Sequence, residues 1–147
     1  MSQGSFVAIT NGQAVAFSKI PCAAFDQFRK TILDLVHQGF RICSLFGMQE
    51  TGQAPSHSSP VRLIAILAGD HQKELLAGGT LVENSFISLT PDCPQAHMFE
   101  REIAEQWGAT PEGHPWLRPA RFQPANGIPL AKQEEGAEAG RLPGVAD

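Results

Sequence analysis

From Pro21 to Gln38 the side chains of Phe25, Phe28, Ile32, Leu35 and Val36 recur at intervals of three and four residues, so they share one stripe of a helix. Pro21 suits a first helical turn and Gly39 the position after the last, which predicts a helix between those two residues. Such a stripe has to be buried against another apolar surface. The chain supplies one directly afterwards. Arg41 to Met48 and Val61 to Ala68 are short runs rich in Ile, Leu, Phe and Val, and both are expected to be strands. Residues 51–60, between them, have the composition of an exposed loop.

The remaining elements follow from local signals. Phe6 to Thr10 and Gln13 to Phe17 flank Asn11-Gly12, a pair that readily turns a hairpin, so a β-hairpin is expected to open the domain. Lys73 to Val82 and Ser85 to Thr90 read as a further strand pair, with a bulge or bend at Gly78-Gly79. Asp92-Cys-Pro-Gln95 offers an N-cap, a first-turn proline and a capping-box Gln ahead of Phe99, Ile103 and Trp107, predicting a second helix that runs to Gly108. Six of the eleven prolines then fall between Ala109 and Asp147, which leaves room only for a loop or extended arm. The expected fold is a single α+β domain over residues 1–122. Its sheet is mixed or antiparallel with two main helices on one face, and a proline-rich C-terminal arm follows over 123–147.

Composition limits what this domain can do. With 147 residues, 42% of them hydrophobic and 18% charged, the chain can bury roughly 70% of its unfolded surface and needs no disulfide or structural metal. A net charge of −4 provides no general attraction for nucleic acid. The longest apolar run, Leu63 to Ala68, falls far short of the ~20 residues that cross a bilayer, so no direct membrane insertion is expected. Cys22, Cys43 and Cys93 are widely spaced and odd in number, which suits a reducing cytoplasm. The arm is polarised: Arg118, Arg121 and Lys132 lie in a stretch without acids, whereas Glu134, Glu135, Glu138 and Asp147 face Arg141 alone. The last dozen residues are too poor in apolar side chains to order themselves and are expected to be mobile without a partner.

Two chemical readings can be built from the residues. Cys93, His97 and Glu100 fall near a predicted helix start, where a thiolate would be favoured, and would make a small stand-alone enzyme. Cys93 as a small buried hydrophobe explains the same position more simply. Cys93, His97 and His114 could be assembled into a metal site, yet the paired-ligand spacing of a zinc module is missing. No glycine-rich phosphate loop or cysteine cluster is present, so no cofactor is expected on this chain. The densest region lies elsewhere. Glu100, Arg101, Glu102 and Glu105 cannot all face the core, and Arg101 with Glu105 is a four-apart pair suited to a helix surface. Gly113-His114-Pro115 then makes a tight turn that delivers Trp116, Leu117 and Arg118 beside that helix, and such groups anchor protein interfaces.

Glu100-Arg-Glu-Ile, Glu105, Trp107-Gly108 and Gly113-His-Pro-x-Leu-Arg118 together resemble the signature of the 30-kDa subunit of respiratory complex I, with its three linked motifs in order. The resemblance covers most of residues 5–122 and is strongest from 97 to 122. Ala104 and Gln106 replace larger apolar residues of the family pattern, Ala109-Thr110-Pro111 a more hydrophobic stretch, and Trp116 a common acid. Pro115-Trp-Leu-Arg-Pro-Ala-Arg-Phe122 is similar to the related subunit, or fused domain, of membrane-bound energy-converting nickel-iron hydrogenases and formate hydrogenlyase. Gly127-Ile-Pro129-Leu130 is similar to the family's closing element, with Ala131 where a basic residue is usual. The resemblance implies an accessory subunit without redox centres and with no catalytic residues of its own. It would dock on the large subunit that bears the quinone or nickel-iron site, beside the small iron-sulfur subunit, on the cytoplasmic side of the inner membrane. Glu100, Arg101, Glu102, Glu105, Gly113, His114, Pro115, Trp116 and Arg118 would then serve the contact with those partners.

Overall fold

A computed structural model of the chain describes residues 5–49 and 60–121. Among the described residues seven strands, β1 (Val7–Ile9), β2 (Cys22–Ala23), β3 (Arg41–Gln49), β4 (Val61–Gly69), β5 (Glu74–Val82), β6 (Ser85–Ile87) and β7 (Thr110–Glu112), accompany two α-helices, α1 (Phe25–His37) and α2 (His97–Trp107). The main sheet runs β1-β5-β4-β3, and β2 lies along the same edge of β5 as β1, pairing with it in parallel. All other pairings in this sheet are antiparallel. This is the α+β domain expected from the sequence.

Helix α1 ends as predicted. Gly39 takes a φ of 93°, its N–H reaches the Val36 carbonyl, and Phe40 N–H reaches the Leu35 carbonyl, which is the paired bond set of a Schellman cap. Phe40 is buried by that turn. The helix begins later than Pro21, because residues 22–23 are drawn into the sheet as β2 against Gly79 and Thr80. Phe28, Ile32 and Leu35 are fully buried and meet Leu45, Leu63, Ala65, Leu67 and Leu76 from alternate positions of the sheet. Ile103, Ala96 and Cys93 from around α2 belong to the same cluster, so both helices cover one face. On the opposite face the Phe17–Lys19 turn lies over β4: the Arg62 guanidinium sits 4.2 Å from the Phe17 ring centroid and donates to the Ile20 carbonyl. That cover buries the Arg62 end of β4 on its second face.

Three local expectations are corrected. The opening hairpin does not form: the Thr10–Gln13 turn closes, but only Gly12 has positive φ, whereas the turn that matches strand twist needs it at Asn11 as well. β1 pairs with β5 instead, and Phe17 goes to the far face of the sheet. Gly78-Gly79 makes no bulge, since its register with Ala65 and Ile64 is continuous; the irregularity falls between Ile42 and Ser44. A Cβ on Gly78 would lie 2.6 Å from the Ser5 carbonyl oxygen and 2.7 Å from the Phe6 ring, so close approach of the N-terminal segment explains this glycine. Finally, β6 pairs in parallel with β7 rather than with β5, which places a short strand inside the segment expected to be irregular. Of the predicted loop at 51–60 all but Pro60, and with it the Gly127–Leu130 element and the arm over 123–147, lie outside the described residues.

Candidate functional site

Helix α2 is introduced by a 3-10 turn over Pro94–Ala96 and ends at Gly108, whose φ of 72° supplies the left-handed cap. The predicted capping box is not made. Asp92 pairs with Arg29, and the Gln95 side-chain Oε1 accepts the Ile42 N–H at the edge of β3. These contacts fix the start of α2 against α1 and β3. Gly47 fixes its end, where a Cβ would collide with the Trp107 ring.

The charged residues of α2 do not form a solvated face. Glu100, Arg101 and Glu105 are all buried, and only Glu102 remains partly exposed. Glu100 accepts hydrogen bonds from the Ser88 hydroxyl, the Thr90 hydroxyl and the Leu89 N–H, each at 2.6 Å. Arg101 donates through Nε to the Arg118 carbonyl at 2.6 Å and through Nη2 to the Pro119 carbonyl at 2.8 Å. Glu105 Oε2 accepts the Ala120 N–H at 2.6 Å and the Arg121 N–H at 3.3 Å. The expected Arg101–Glu105 pair is therefore replaced by two separate clamps on the backbone of 118–121. The expectation that Glu100, Arg101, Glu102 and Glu105 cannot all face the core holds, since Glu102 stays partly exposed while the other three turn inward. They are covered by the 88–90 turn and by the arm, segments rich in unpaired backbone groups, and not by the hydrophobic core.

Residues 113–118 are placed beside α2. Gly113 has a φ of 79°, and the His114 N–H closes a turn onto the Pro111 carbonyl. The His114 side chain is buried; its Nδ1 accepts the Trp116 N–H at 3.1 Å, which leaves Nε2 to donate to the His97 carbonyl at 3.2 Å. Its ring stacks on His97, and His97 in turn stacks on Trp116. Trp116 is 55% exposed, with the guanidinium carbons of Arg101 and Arg118 at 5.3 and 5.6 Å from its ring centroid. Pro115 and the Arg118 side chain are exposed. Arg121, absent from the predicted set, binds Glu102 at 2.7 Å and approaches Glu105 at 3.9 Å. Ser88 and Thr90 are the other residues that sequence reasoning missed, because ten or more positions separate them from the carboxylate they serve.

The alternative chemistries find little support in this geometry. Cys93 is 1% exposed, and burial pushes its thiol above the ordinary value, the reverse of what a nucleophile needs. The Glu100 carboxylate is already engaged by three donors. The imidazoles of His97 and His114 stack face to face and do not converge with Cys93 on a common point, and among the described residues no cluster of three or more ligating side chains could hold a metal ion.

Among the described residues no helix is long and apolar enough to cross a membrane. No curated protein sequence matches the chain significantly. The family described as respiratory-chain NADH dehydrogenase, 30 Kd subunit, matches residues 24–139, a span that includes α1, strands β3 to β7, α2 and the Trp116 turn. With a match over most of its length, the chain belongs to the 30-kDa subunit family of the respiratory-chain NADH dehydrogenase and is a subunit of a respiratory oxidoreductase complex.

Proposed function

We propose that this chain is a cofactor-free scaffolding subunit that docks on the large subunit bearing the quinone or nickel-iron site, next to the small iron-sulfur subunit. Its place is on the cytoplasmic side of the inner membrane, held there through the complex. The observation that carries the reading is the way α2 uses its charges. Arg101 and Glu105 hold the backbone of 118–121 in one conformation, and Trp116, on the turn just before it, and Arg118 are exposed. A loop fixed by buried charge-assisted hydrogen bonds loses little entropy when a partner covers it. Exposed Trp and Arg on such a loop are the residue types that dominate interface energetics. Within the predicted contact set, Trp116, Arg118 and Glu102 face outward, whereas Arg101, Glu105 and His114 act from below by shaping the arm and Glu100 holds the 88–90 turn.

The test is gentle affinity purification of the tagged chain from detergent-solubilised membranes of its own host, with mass spectrometry of the retained proteins. Recovery of a large quinone-site or nickel-iron subunit together with an iron-sulfur partner is expected, and nickel in the preparation assigns the hydrogenase branch. Recovery of the chain alone, under conditions where such a complex is expressed, contradicts the proposal.

A further inference from the structure

The basic side chains around the arm are unequally satisfied. Arg121 has Glu102 at 2.7 Å and Glu105 nearby. Arg29 has Asp92, and Arg41 has Asp70. Arg118 is the exception: its guanidinium lies over the Trp116 ring, and among the described residues no carboxylate pairs with it. Arg101 is only partly served as well. Two of its nitrogens bond to carbonyls, but Nη1 faces the Met98 sulfur at 3.4 Å. A thioether is a weak acceptor for a guanidinium N–H. Met98 is itself 52% exposed, so its side chain can move aside as an easily displaced neighbour of the buried Arg101 cation. These two under-satisfied guanidiniums flank one exposed indole.

From this arrangement we infer that the Met98–Trp116–Arg118 surface recognises an acidic segment of the partner subunit, whose Asp or Glu carboxylates pair with Arg118 and displace the Met98 sulfur from Arg101 Nη1. The inference rests on the docking role proposed above and specifies its chemistry. A carboxylate matches the planar fork of a guanidinium in a way that a thioether cannot. Trp116 supplies the apolar platform that keeps water from the pair, which strengthens the charge interaction once the partner covers it. A cationic or purely apolar partner would instead leave Arg118 buried without a counter-charge, at a cost that disfavours assembly.

The experiment uses the full chain carrying Arg118→Lys, which keeps the charge and provides an amine. Assembled complex purified from host membranes is treated with a water-soluble carbodiimide, which joins an amine to a carboxylate in direct contact, and the cross-linked peptides are identified by mass spectrometry. The expected product links position 118 to an Asp or Glu of another subunit. In parallel, Arg118→Glu is expected to reduce recovered partner on the order of tenfold or more while the chain's own melting temperature stays unchanged. A recovered complex with no link from position 118 to a partner carboxylate, and with full tolerance of Arg118→Glu, overturns this inference and leaves the scaffolding role standing. Failure of both the unmodified and the Arg118→Lys chains to retain any partner overturns the scaffolding role and this inference together.

Discussion

Glu100 accepts the Ser88 hydroxyl at 2.6 Å within a site where its own side chain is wholly shielded from water. Thr90 and the Leu89 N–H complete the set, so a helix carboxylate holds the turn that leads from β6 into α2. Removing the acceptor in Glu100→Ala would strand three buried donors, each worth about 1–3 kcal/mol when left unmade. The expected loss is at least about 3 kcal/mol in denaturant unfolding, against roughly 1 kcal/mol for Ser88→Ala. A loss below 1 kcal/mol for Glu100→Ala would show that the cluster does not hold this turn.

Arg101 and Arg118 place their guanidinium carbons 5.3 and 5.6 Å from the same Trp116 ring centroid, yet they divide into different roles. Arg101 clamps two carbonyls from a buried position, so Arg101→Ala is expected to lower the melting temperature and to speed amide exchange over 117–121. Arg118 presents its side chain to solvent, so Arg118→Ala should change the stability of the isolated chain by no more than about 0.5 kcal/mol. Equal destabilisation by both substitutions would contradict the division.

Gly78 lies where the segment Ser5–Phe6 crosses the sheet. With the Ser5 carbonyl and the Phe6 ring both under 3 Å from an added Cβ, Gly78→Ala is expected to cost about 1–3 kcal/mol. Phe6 stacks on Phe28 at 5.8 Å, so the displacement would reach α1. An unchanged unfolding midpoint would refute the close approach.

Cys93 provides a pH-dependent readout. Burial holds its thiol above the ordinary range, and the unfolded chain releases that proton at lower pH. The linked contribution to stability is therefore complete below the ordinary thiol range and is lost as pH rises from there through the raised value of the folded thiol. Near neutral pH, thiol labelling should modify exposed Cys22 and Cys43 well before Cys93. Labelling of Cys93 faster than the other two would revive a nucleophilic role.

Much of the fold was legible because its signals are local. Gly39 and Gly108 close their helices from positions that a single chain segment determines, and the stripes of α1 and α2 follow a helical period. The opening hairpin was misread because its outcome turned on the φ of Asn11 and on competition from β5 for the edge of β1. The glycines at 78 and 79 looked like a bulge, since nothing in their neighbourhood announces a crossing by a segment more than seventy residues earlier. At the site, the residues of interest were recognisable by type and spacing, but the direction of their side chains was not. Glu100, Arg101 and Glu105 are turned inward by Ser88, Thr90 and the backbone of 118–121, partners that only the folded chain brings within reach.

The docking of the Trp116 surface is tested most directly by hydroxyl-radical footprinting of the chain, free and assembled. The account predicts that oxidation of Trp116 and Met98, which are 55% and 52% exposed in the free chain, falls sharply on assembly, while that of Phe46 on the opposite face of the sheet changes less. Undiminished oxidation of Trp116 and Met98 in an intact complex, with protection appearing elsewhere, would contradict it.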